Sequence, residues 1–175
     1  MNLTKKIAFG VSVGFLSNFA FGQTLQEGIN SADSHKYAHA RQVFTEMIAK
    51  SATAENYFYL GNSYLTQFEP SFDKAQENFN KGLEADKKSY LNKIGLASVK
   101  LGKDDKSAIA EIKEIVKDSR EKDAEVLYRA AEALTLFGGA ANADLAIEFL
   151  NKAVEKSAKN GTPAHYYYNL GDAYR

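Results

Sequence analysis

The chain has 175 residues, 45% of them apolar and 25% charged, which is the composition of an ordinary globular domain and excludes a disordered polyelectrolyte. Lysine plus arginine and aspartate plus glutamate stand at 22 each, so no net charge draws the chain to a nucleic acid or an anionic membrane surface. With no cysteine it uses no disulfides, depends on its apolar core, and cannot carry a lipid at the end of a bacterial signal peptide.

Residues 1–22 read as a secretory signal peptide. Lys5 and Lys6 precede an apolar run from Ile7 to Leu16, a polar break follows at Ser17-Asn18, and Ala20-Phe21-Gly22 offers small residues to a signal peptidase. The apolar run is shorter than the roughly 18 to 20 residues that span a bilayer, so the expectation is cleavage after Gly22 and no stable membrane span afterwards. The mature chain then begins at Gln23 with 20 basic and 22 acidic residues, and its expected location is exported, periplasmic or associated with the cell envelope. Gly10-Val11-Ser12-Val13-Gly14 matches a nucleophile elbow, but it lies in the hydrophobic part of this leader with no strand before it and is a chance match.

Residues 23–175 repeat one helical hairpin. The first hairpin, about 23–53, has Gly28 in its first helix and Ala40, Phe44, Met47 and Ile48 in its second, while Thr24, Glu27 and Ser31 stand where later repeats are bulky. That predicts a loosely packed first helix or a polar terminal cap. In the second, about 54–87, Tyr57, Leu60, Gly61 and Tyr64 fall at i, i+3, i+4 and i+7 on one face. A glycine inside a helix costs about 1 kcal/mol relative to alanine, so Gly61 predicts a close neighbour there. Past Pro70, the second helix presents Ala75, Phe79, Gly82 and Leu83.

The third hairpin, about 88–122, runs through Leu91, Ile94, Gly95 and Ser98, then Ala108, Ile112, Ile115 and Val116, with Gly102-Lys103-Asp104 closing one helix and Asp104 or Asp105 capping the next. The fourth, about 123–161, has Leu127, Ala130, Ala131 and Leu134, then a longer turn with Gly138-Gly139 and Asn142, then Ala146, Leu150, Ala153 and Val154. A partial fifth, 162–175, begins with Thr162 as a cap and Pro163 in the first turn, and carries Tyr167, Leu170, Gly171 and Tyr174. It stops inside a first helix, so the expectation is a fragment of a longer protein, the alternative being a face paired with another chain.

Gly28, Gly61, Gly95, Ala131 and Gly171 are 33, 34, 36 and 40 residues apart. Together with Leu60-Gly61, Tyr64, Ala75, Phe79 and Gly82, this period resembles the tetratricopeptide repeat, whose unit is about 34 residues. The resemblance implies an all-α, right-handed α-solenoid of antiparallel helix pairs, about four and a half repeats long.

It also implies a concave face lined by first helices, with the residues flanking the Leu-Gly pair pointing into a groove. Those positions are Phe58, Tyr59 and Asn62; Asn92, Lys93 and Leu96; Tyr128, Arg129 and Glu132; and Tyr168, Asn169 and Asp172. Aromatic rings mixed with amides and single charges suit an extended peptide. A clamp for a terminal carboxylate is not predicted, because only Asn62, Asn92, Lys93 and Arg129 could serve it and Glu132 opposes an anion.

No catalytic, cofactor or metal motif emerges. His35 and His39 are four apart, but Lys36 stands where a zinc enzyme has its glutamate, and they read as exposed polar residues at a helix start. His165, beside Tyr166, reads as structural. The functional expectation is a non-catalytic scaffold for a protein or peptide partner in a cell-envelope assembly, without nucleic acid or metal. The alternatives are a glycan-binding envelope component using Tyr128 and Tyr168, or a repeat region accessory to a catalytic domain beyond Arg175.

Overall fold

The computed structural model describes residues 24–175, and the signal-peptide reading lies outside them. The described chain is a succession of antiparallel helices: α1 (Leu25–Asp33), α2 (Tyr37–Lys50), α3 (Ala54–Leu65), α4 (Phe72–Ala85), α5 (Tyr90–Gly102), α6 (Ala108–Asp118), α7 (Ala124–Ala133), α8 (Ala143–Ser157) and α9 (Ala164–Ala173). Each odd-numbered helix up to α7 packs on the even-numbered one that follows, and each pair stacks on the next.

The helix starts divide into two classes. Thr24, Thr53, Ser89 and Asp123 cap α1, α3, α5 and α7 by accepting a hydrogen bond from a backbone N–H of the first turn. Such a cap contributes about 1 kcal/mol. None of α2, α4, α6 and α8 has a side-chain cap, and each is entered through a connection from the helix it packs against. Before α6, Asp105 Oδ1 accepts from the Ser107 amide at 3.0 Å, while Asp104 sits in a left-handed turn at φ +72°. Thr162, expected to cap α9, instead turns back to α8, where its hydroxyl reaches Ser157 Oγ at 3.0 Å.

Small residues hold the stack together. Phe79 of α4 is fully buried, with its ring between two glycines: a Cβ at either Gly61 or Gly95 would come within 2.6 Å of it. Phe44 of α2 covers Gly28 of α1 in the same way, and Asn92 of α5 fills the space over Gly82 of α4. Complete burial of one such ring contributes about 1.5–3 kcal/mol. At Gly171 a Cβ would meet nothing within 4 Å among the described residues, and on the same helix Tyr167 and Tyr174 are exposed.

The core has two parts that share α5. Phe44, Phe58, Phe79 and Val99 belong to the first, and Ile94, Leu101, Ile112, Leu127 and Leu150 to the second. Because α5 feeds both, the stack is continuous across it. After Ala133, α7 loosens into a π-helical turn, Leu134–Gly138, which ends at Gly139 with φ +71°, a conformation glycine adopts freely. The extra residues of the longest repeat are housed there. Among the described residues no helix is long and apolar enough to cross a membrane.

Candidate functional site

The odd-numbered helices face inward, but they do not form an even shelf. The stack is twisted enough that a side-chain bridge joins α3 to α7 past α5: Tyr59 of α3 donates its hydroxyl to Glu125 Oε1 of α7 at 3.2 Å. From the other side, Tyr166 of α9 donates to Glu125 Oε2 at 2.8 Å. Glu125 thus ties three repeats together.

Arg129, one helical turn beyond, completes this knot. Its Nε donates to Glu125 Oε1 at 2.8 Å and its Nη1 to Glu132 Oε2 at 3.0 Å, while Tyr128 Oη donates to Glu132 Oε1 at 3.0 Å. The guanidinium lies 4.7 Å from the Tyr128 ring centre and 5.7 Å from those of Phe58 and Tyr59, within range of cation–π attraction. The side chain is only 6% exposed, so the charge is buried and paired with two carboxylates.

The titrations of this cluster follow from burial and charge. Burial pushes the phenols of Tyr59, Tyr128 and Tyr166 well above the ordinary tyrosine range, and the carboxylates beside them add to the shift. Burial works against an ionised Glu125, but the Arg129 charge and the hydrogen bonds from Tyr166 and Arg129 outweigh it and hold its carboxyl below the usual range. Each of these groups is moved away from neutral pH, the reverse of what acid–base catalysis needs.

Around the knot opens a cleft of about 890 Å³, framed by α1 and α3 on one side and by α7 and α9 on the other. One connection closes its end. His165 Nδ1 of α9 lies 2.9 Å from Asp33 Oδ2 of α1, joining the first and last described helices. The imidazole also packs edge-on against Tyr128 and Tyr166, at 4.8 and 5.0 Å between ring centres.

These contacts place the sequence-derived positions. Tyr59, Asn62, Tyr128, Arg129, Glu132, Tyr168, Asn169 and Asp172 line the cleft, whereas Phe58 is buried behind it. Asn92, Lys93 and Leu96 do not line it, because the face that α5 turns toward α3 and α7 carries Ile94, Gly95 and Ser98 instead. The Asn92 side chain is fully buried and donates to the Ala54 carbonyl at 2.8 Å; Lys93 lies over the Tyr90 ring, and Leu96 packs into the first half of the core.

Among the cleft residues that the sequence reading does not place there are Asp33, Glu125 and His165. A signal for Glu125 was present, since it stands three residues before Tyr128 and four before Arg129, one turn further along the same face. His165 carries no such signal, since no local pattern in the sequence connects it with Asp33. His35 and His39 are not on one helix: His35 occupies the turn before α2, where its Nδ1 lies 3.0 Å from Tyr37 Oη, and His39 faces Glu27 at 3.4 Å. Among the described residues no group of three or more His, Cys, Asp or Glu is arranged to hold a metal ion.

The decisive feature is the stack of antiparallel hairpins in which a bulky residue of a second helix covers a small residue of a first helix, Phe44 over Gly28 and Phe79 over both Gly61 and Gly95. The fold is that of a tetratricopeptide-repeat solenoid.

The sequence matches no family model and no curated protein. Among solved structures the solenoid is similar to MamA AMB-1, with 16% identity over 85% of this chain and 78% of that one at a TM-score of 0.44. It is similar to YrrB, described as a TPR protein with an unusual peptide-binding site, with 18% identity over 86% and 74% of the two chains at a TM-score of 0.46. A further MamA structure shares 20% identity over 86% and 78% at a TM-score of 0.45.

Proposed function

We propose that the protein is a non-catalytic scaffold that holds a protein or an extended peptide in its inner cleft, and that it works as an exported component of the cell envelope. The observation that carries the binding reading is the cleft itself. At about 890 Å³ it has the volume of a ligand site, and it is lined by amides, carboxylates and the exposed ring of Tyr168. Asn62 can pair with a main chain, which has a donor and an acceptor at nearly every residue, and Asn169 can donate to one, its Oδ1 already accepting from Thr135 at 3.1 Å. A glycan reading loses one of its two rings: Tyr128 is stacked on Tyr166 at 4.4 Å and faces Arg129, so only Tyr168 remains for a sugar.

The test is a randomised peptide array probed with wild-type protein and with an Asn62→Ala/Tyr168→Ala variant. Selected peptides should bind the variant about tenfold more weakly, a loss of about 1.4 kcal/mol. An array with no bound peptide, or binding that the variant leaves untouched, refutes the cleft as the holding site. Export rests on the leader pattern of residues 1–22 and is checked separately. Terminal sequencing of protein from the envelope fraction should begin at Gln23, and a cytoplasmic product that keeps Met1 would refute it.

A further inference from the structure

We propose that the segment the cleft holds is cationic, an extended peptide bearing lysine or arginine whose charges are met by Asp33, Glu132 and Asp172. This rests on the peptide-holding reading above and adds the chemical class of the partner.

The charge inventory of the cleft is lopsided. Asp33, Glu125, Glu132 and Asp172 contribute four carboxylates to its walls, against one guanidinium, Arg129, and the imidazoles of His35 and His165. Arg129 is not available to a partner, being 6% exposed and divided between Glu125 and Glu132. Two carboxylates share that one positive charge, so the knot retains a negative excess. Asp33 and Asp172 add to it from α1 and α9. An anionic segment would find no free cation on these walls, and like charges brought together in a cleft are penalised.

The two outer carboxylates can be reached. Asp33 and Asp172 have side chains 33% and 29% exposed. Arg175, the cation paired with Asp172, is 76% exposed, and an exposed pair of that kind contributes little and is easily exchanged for a ligand's charge. The partner of Asp33 is His165, whose ring can donate a hydrogen bond in either protonation state, so the carboxylate keeps a second oxygen for a newcomer. Beside Asp172, four residues back on α9, Tyr168 presents an exposed ring to which an ammonium or guanidinium is attracted. Tyr37 and Tyr128, whose phenols burial pushes above the ordinary tyrosine range, line the same cleft as Asp33 and Glu132. Asn62 and Asn169 supply main-chain partners that a free polyamine would leave unused.

The experiment is fluorescence anisotropy with three labelled peptides on one backbone, carrying lysine, glutamine or glutamate at alternate positions, against the full chain. The lysine peptide should bind about tenfold or more tightly than the glutamate peptide, and added salt should shrink the difference. An Asp33→Asn/Asp172→Asn variant should lose about tenfold for lysine alone, while Glu84→Gln on the outer helix α4 binds as wild type. Should the double variant lose helicity by circular dichroism, Asp172→Asn alone carries the comparison. Equal or tighter binding of the glutamine or glutamate peptide overturns the charge assignment while leaving the cleft as a peptide site. No binding of any of the three also overturns it, and the peptide-holding reading falls as well when the randomised array is blank or its binding is left untouched by the Asn62→Ala/Tyr168→Ala variant. Spermidine that displaces the lysine peptide as effectively as unlabelled peptide does overturns the commitment to a chain.

Discussion

The Phe79 ring, held between Gly61 and Gly95, allows the packing to be tested by substitutions that add one methyl group each. Gly61→Ala and Gly95→Ala both place a Cβ within 2.6 Å of that ring, closer than carbon atoms can approach without movement. Overpacking of this kind costs about 1–3 kcal/mol, and the helix-propensity gain of alanine over glycine offsets about 1 kcal/mol of it. Each single variant should therefore lose about 0–2 kcal/mol. Relief in either case requires the ring to shift toward the opposite glycine. In the double variant that escape is closed, so its loss should exceed the sum of the singles by about 0.5–3 kcal/mol. Gly171→Ala is the internal control: it stands at the equivalent position of α9 with no neighbour within 4 Å among the described residues, and should stabilise by up to about 1 kcal/mol. Urea denaturation followed by circular dichroism measures all four, with the midpoint as the readout where the slope is unchanged. A Gly171→Ala loss as large as that of Gly61→Ala, or simple additivity of the first two, would refute the shared-ring packing.

The buried knot makes further predictions. Arg129→Met removes the one cation between Glu125 and Glu132 and should cost about 3–5 kcal/mol in the same assay, because two buried carboxylates lose their partner; a loss under about 1 kcal/mol would show that the pair is not buried in solution. At high pH, the raised phenols of Tyr59, Tyr128 and Tyr166 stay protonated in the fold but ionise near 10 when unfolded, so their stability contribution is complete below about 10 and is lost as pH rises beyond it. Ultraviolet titration should show these tyrosines ionising together with the loss of helicity. At low pH, the depressed Glu125 contributes fully above the ordinary glutamate value of about 4.3 and loses its contribution as pH falls below it, so Glu125→Gln should flatten the acid limb of the stability curve. His165→Ala removes the link to Asp33, and amide exchange in α1 should accelerate while α5 and α6 keep their protection; unchanged exchange in α1 would mean that α1 is held by its packing on α2 alone.

The hairpins were legible in the sequence because their packing is local. Gly61 and Phe79 are 18 residues apart and Gly28 and Phe44 are 16, so a small residue and the ring that covers it recur inside one period. The cleft positions on α7 and α9 could be carried over because the residues beside the close-approach position point into the cleft there as Tyr59 and Asn62 do on α3, whereas on α5 they do not. Thr162 was misread because Pro163 marks the start of α9 without revealing which helix the threonine hydroxyl will serve, and that depends on where Ser157 ends up.

What the period does not contain is the angle between one hairpin and the next. That angle accumulates, and two repeats later it decides whether the first helices spread into an open shelf or are bridged past the helix between them. Tyr59 and Glu125 are separated by 66 residues, Asp33 and His165 by 132, and neither pair is marked by any spacing within a repeat. On α5 the face turned toward α3 and α7 carries Ile94, Gly95 and Ser98, so Asn92, Lys93 and Leu96 are missing from the inner wall, and with Lys93 goes a cation that the flank rule had placed in the groove. Its absence is what leaves Arg129 as the single guanidinium or ammonium among four carboxylates, so the superhelical twist, more than the composition of a near-neutral chain, sets the sign of the cleft. A variant that loosens the twist without touching a charge would test this: Tyr59→Phe removes the hydroxyl that ties α3 to Glu125 and should weaken lysine-peptide binding about two- to tenfold, although no cleft charge has changed. Unaltered affinity in that variant would mean that the carboxylates hold their positions without the bridge, and that the twist does not set the polarity.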